Sequence, residues 1–99
     1  MNQQQWRRFL NTNSDSILHA LTMRQHVQPH ETLNESLDAS RQDLGFCPGA
    51  AQAAVGWLQL DGNVPIGRLQ RTQIIQLSRS IHRFWGQALT GRETQPQSA

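Results

Sequence analysis

The residues best placed to do chemistry are arginines. Arg68, Arg71, Arg79 and Arg83 recur in the C-terminal third of the chain with His82 among them, and at 100° per residue the four fall within an arc of about 120° on one helix. No Asp or Glu stands between Gly62 and Arg92 to neutralise them locally. All nine basic residues are Arg and none is Lys. A guanidinium is a rigid five-donor fork that keeps its charge and matches carboxylate or phosphate. The chemistry this implies is anion recognition, with an acidic protein surface ahead of nucleic-acid phosphates; a solvated face on a core helix is the plain alternative.

Glu31, Glu35 and Asp38 fall at i, i+4, i+7, an acidic face opposite the leucines of the same helix, and self-association of an acidic with a basic face follows as an option. As catalytic carboxylates they lack a pocket that would shift their pKa. His26 and His30 are four apart, with His19 seven residues before His26, but Pro29 between the pair ends a helix and no second Cys or suitable acid completes a metal-ligand set. Cys47-Pro48 is too short a motif to imply haem, and the chain carries no glycine-rich phosphate loop, nucleophile elbow or dinucleotide fingerprint. The expectation is a non-enzymatic protein with no catalytic, metal or cofactor residues, which folds without metal or haem.

The elements that must position the arginines are helical. Trp6, Phe9 and Leu10 share one side of a short helix over residues 2–11, broken by the polar run Asn11 to Ser16. A second helix starts at an N-cap of Ser14 or Asp15, carries Ile17, Leu18 and Leu21 to about Gln25, and is ended by Pro29. A third begins near His30, with Thr32 and Glu35 at capping-box spacing, Leu33, Leu37 and Leu44 as its stripe, and Gly45 as its stop. Residues 45–67 read two ways. Pro48 can open an alanine-rich helix that runs to a stop at Gly62, which is favoured, or Trp57–Leu60 and Val64–Ile66 can flank a hairpin turn at Asp61-Gly62-Asn63. The clearest element runs from about Arg68 to Leu89 and stops at Gly91, with Ile74, Leu77, Ile81, Phe84, Trp85 and Ala88 within about 100° of arc as its core face. A helix-turn-helix reader fits badly, because the connection from Leu60 to Pro65 is too long and the following helix is not compact.

The fold class expected is all-α: a small bundle of four to five helices with a long amphipathic C-terminal helix as its spine. At 99 residues the chain is one domain, 1–89 helical and 90–99 a disordered tail. A mean hydropathy of -0.61 and the lack of an apolar run near membrane-spanning length exclude a transmembrane helix. Trp6-Arg7-Arg8-Phe9 resembles a twin-arginine export signal only faintly, since polar residues follow where an apolar segment is required, and one solitary cysteine suits a reducing cytoplasm. The expected function is a small interaction or regulatory protein that binds a partner protein with an acidic surface, or itself. Its contact residues are Arg68, Arg71, Arg79, His82 and Arg83, joined by Trp6, Phe9, Trp57, Leu33 and Leu37. Nucleic-acid binding by the same arginines is the second reading.

Overall fold

A computed structural model describes residues 3–91. They form five α-helices with no strand among the described residues: α1 (Gln3–Leu10), α2 (Ser14–Val27), α3 (Leu33–Leu44), α4 (Pro48–Trp57) and α5 (Arg71–Thr90), with a 3-10 turn at Ile66–Arg68 before α5. No helix among them is long and apolar enough to cross a membrane. The expected tail falls almost wholly on residues 92–99, outside the described residues; Thr90 is still helical and Gly91 closes α5 at a φ of 78°.

Helix ends follow local hydrogen bonding. Asn13, not Ser14 or Asp15, caps α2, because its Oδ1 accepts from the Ser16 backbone N–H at 3.0 Å. At α3 the capping box forms as spaced: Thr32 Oγ1 accepts from Glu35 N–H at 3.1 Å and Glu35 Oε1 from Thr32 N–H at 3.0 Å. The helix therefore starts at Leu33 and leaves Glu31 outside it. Gly45 ends α3 at a φ of 86°, the left-handed conformation that glycine adopts without strain.

Residues 45–67 hold the favoured helix but not its expected length. α4 opens at Pro48 and stops at Trp57, where Gln59 takes a φ of 55° and the chain turns. Gly62 is no helix stop. It belongs to a turn in which Asp61 Oδ1 accepts from Asn63 N–H at 2.9 Å. The segment after it pairs with the start of α3 and not with residues 57–60: Leu33 N–H donates to Val64 O at 2.9 Å and Ile66 N–H to Glu31 O at 2.8 Å, beside a single antiparallel bridge between Thr32 and Pro65.

α5 is the spine, in contact with α1, α2 and α4, while α3 closes the bundle against α2 and α4. Its Ile74, Leu77, Ile81 and Trp85 are buried with Ile17 and Leu21 of α2, Leu33 and Leu37 of α3, Phe46, and Ala50, Ala51, Ala54 and Val55 of α4. Three serines lie among them. Ser78 Oγ donates to Ile74 O at 2.8 Å and Ser36 Oγ to Glu31 Oε1 at 2.8 Å, but Ser40 Oγ has no partner among the described residues. Replacing Ser40→Ala removes an unpaired buried hydroxyl and is expected to raise stability by about 0.5–1 kcal/mol, whereas Ser36→Ala deprives a carboxylate of a donor and lowers it by about 1–2 kcal/mol. Urea unfolding of the two variants should show opposite signs for the same chemical change.

Glu31 links α2 to α3. Arg24 grips its carboxylate with both arms of the guanidinium, Nε to Oε1 at 2.9 Å and Nη2 to Oε2. The Arg24 hydrogen bond holds the Glu31 carboxyl below its usual range, against the opposing effect of partial burial, and Ser36 adds to the lowering. A folded-state pKa below the unfolded one means that the carboxylate stabilises the fold fully above the usual carboxylate range, and that this contribution fades as pH falls through the lowered value. Glu31→Gln should therefore be less stable than the parent at neutral pH, and the difference should shrink on acidification; thermal melts from neutral to strongly acidic pH check it.

Candidate functional site

The four arginines do not share one face. α5 begins at Arg71, because Gln70 N–H is taken by Gln73 Oε1 at 2.8 Å and Leu69 is buried in extended conformation. Arg68 thus lies in the 3-10 turn, off the helix. Arg71 points toward α2, and its Nη1 donates to Thr22 Oγ1 at 3.3 Å. Arg79 and Arg83, one turn apart, remain on the outer side of α5, exposed. Ion pairs among the described residues are Arg24–Glu31 and Arg41–Asp38, so neither arginine is engaged in one. Arg79 lines a shallow recess with Ser14, Asp15 and Leu18.

His82, Phe9 and Trp6 have a different task. The Phe9 ring stacks on His82 at 4.7 Å between centroids and meets the edge of Trp85 at 5.2 Å, with Trp6 stacked behind it at 5.5 Å. The Thr12 carbonyl accepts from His82 Nε2 at 3.0 Å, which places the ring's hydrogen on that nitrogen. These contacts seat α1 on α5. Arg8 completes the seat by donating to Asp43 O at 3.0 Å and Leu44 O at 3.3 Å, the open carbonyls at the end of α3. α1 itself has no fully buried residue and is flanked by cavities of about 390 and 430 Å³.

Leu33 and Leu37 are corrected outright. At 0% and 3% exposure they are core and present nothing to a partner, because α3 turns its leucine stripe inward. The acidic face is dismantled too: Glu31 holds Arg24, Glu35 caps its own helix and Asp38 holds Arg41 at 2.8 Å. Sequence spacing placed three acids on one helix; the helix start at Leu33 removes the first of them. Among the described residues no three His, Cys, Asp or Glu come together in a way that could hold a metal ion.

Trp57 stands out at 69% exposure, its ring edge-on to Phe84 at 6.4 Å. Beside it Gly49, Ala50, Ala53, Phe84 and Ala88 line an apolar groove of about 120 Å³ between α4 and α5. The groove was not foreseen from periodicity, since its walls come from two helices. Its signal in the sequence is that no charged residue stands between Asp43 and Asp61.

No family model, curated protein or solved structure matches the chain. The site is thus defined by its own geometry: two guanidiniums on the outer side of α5, in no ion pair among the described residues, and on the α4 flank an exposed tryptophan beside a neutral groove.

Gly86 gives the test of how α1 is seated. A Cβ there would lie 2.8 Å from Phe9 Cζ, so Gly86→Ala should push Phe9 out of its place while improving α5 as a helix by about 1 kcal/mol. Hydrogen exchange should accelerate in residues 3–12 and stay slow, or slow further, across Ile74–Trp85.

Proposed function

We propose that this protein is a small non-enzymatic interaction protein that docks an acidic protein surface on the outer side of α5. The observation that carries the reading is the pair Arg79 and Arg83, exposed and in no ion pair among the described residues, on a helix whose opposite side is anchored in the core. Rigid backing keeps two fixed charges in register, which favours recognition of carboxylates held at one spacing. Trp57 at the edge supports the same reading, because Trp and Arg dominate the energetics of protein interfaces. The solitary Cys47 suits a reducing, cytoplasmic setting.

A pull-down from the native host under nuclease treatment, with and without the double reversal Arg79→Glu and Arg83→Glu, tests it. A specific acidic partner should survive nuclease, be lost with the reversal, and return when complementary charges on that partner are reversed. Nucleic acid as the partner would instead give binding to duplex DNA whose log K falls against log salt with a slope of about -1.8, two phosphate contacts at about -0.9 each. If the reversed protein folds normally and keeps every partner, the outer side of α5 is solvated surface only.

A further inference from the structure

We infer that a second copy of this chain docks on the groove between α4 and α5, with Trp57 of each copy seated in the groove of the other. The inference does not depend on Arg79 and Arg83. It starts from a knob and a hole on one face: Trp57 is held upright by the edge contact with its own Phe84, and the hole is lined by Gly49, Ala50, Ala53, Phe84 and Ala88. Among the described residues nothing lies within 4 Å of where a Cβ on Gly49 or Gly56 would stand, so the outer side of α4 is open to close approach.

Charge decides what can cover it. Between Asp43 and Asp61 the chain offers no charged side chain, so a charged occupant would lose its hydration there with no counter-charge in return. A neutral face calls for a neutral partner, and a second copy of the same face is one. Spacing makes the match self-complementary. Gly49, Ala53 and Trp57 follow at steps of four residues, about 6 Å each along α4. A twofold axis at Ala53, with the two α4 helices antiparallel, therefore sets Trp57 of one copy against Gly49 of the other, and the reverse, as an isologous contact requires. Arg79 and Arg83 lie about 100° or more round α5 from Phe84 and stay at the rim.

The available area sets the strength. α5 is about 30 Å long, the ten-residue α4 about 15 Å, and each helix about 10 Å wide, so the face offers about 450 Å² per copy and about 900 Å² in all, the range of weak, transient interfaces. The dimer is thus reversible and concentration-dependent.

Sedimentation equilibrium on the full chain, over a hundredfold range from low micromolar upwards, tests the inference. The mass should rise reversibly from the 11.2 kDa monomer toward twice that value. Trp57→Ser and Ala53→Arg, both at exposed positions, should each weaken the dimer at least about tenfold with the helical circular dichroism unchanged. Arg79→Glu with Arg83→Glu should leave it intact, which separates this outcome from the fate of the arginine reading. A monomer at every concentration overturns the inference, as does a dimer indifferent to both α4 variants or one abolished by the arginine reversal.

Discussion

Burial of the apolar stripe of α5 is the constraint that the other helices serve. Ile74, Leu77, Ile81 and Trp85 cannot be shielded by one neighbour, because the stripe is about 100° wide and runs the length of a helix of 20 residues. α2 covers one flank through Ile17 and Leu21, α4 the other through its alanines, and the loop residue Phe46 meets Trp85 at 6.3 Å. Small side chains on α4 are what lets it lie close. The same choice leaves α4 with little bulk on its exposed side apart from Gln52 and Trp57.

With so small a core, polar contacts determine how the connections lie. Arg24, Glu31 and Ser36 join the end of α2 to the start of α3, while Gln25 Nε2 donates to Ile66 O at 3.0 Å and Leu69 O at 2.7 Å and so holds the turn that launches α5. These bonds take up Glu31, and Arg79 and Arg83 are left outside the ion pairs among the described residues. A protein of nearly balanced charge thereby acquires an uneven surface. Basic groups face outward on α5, and a neutral, apolar strip runs beside them.

The molecule thus carries two surfaces of different chemistry, one on the outer side of α5 and one on its α4 flank. Guanidiniums on a rigid helix select charge, and an exposed indole over a shallow groove selects shape. α1 takes part in neither; it is a small helix seated by one phenylalanine and by carbonyl contacts from Arg8 and His82, with an open cavity on either side.

The all-α class, the capping box at Thr32 and Glu35, the stops at Gly45 and Gly91, the start of α4 at Pro48 and the core stripe of α5 through Ile74, Leu77, Ile81 and Trp85 were legible in the residues alone, because each depends on neighbours within a few positions along the chain, whereas Phe84 and Ala88, expected in that stripe, line the groove beside α4. The site was legible only in part. Arg79, Arg83 and Trp57 are exposed, but Arg68 left the helix, Arg71 turned to Thr22, and His82, Phe9 and Trp6 went to seat α1. Arg68 was lost to a local cap, Gln70 N–H on Gln73 Oε1, whereas the placing of Arg71 and His82 rests on contacts between residues 49 and 70 positions apart, Arg71 with Thr22 and His82 with Thr12, which no local periodicity encodes. Burial of Leu33 and Leu37 was likewise settled by where α3 lands on its neighbours: a helix carries its apolar stripe in its sequence, but only the tertiary structure decides whether that stripe meets a core or a partner.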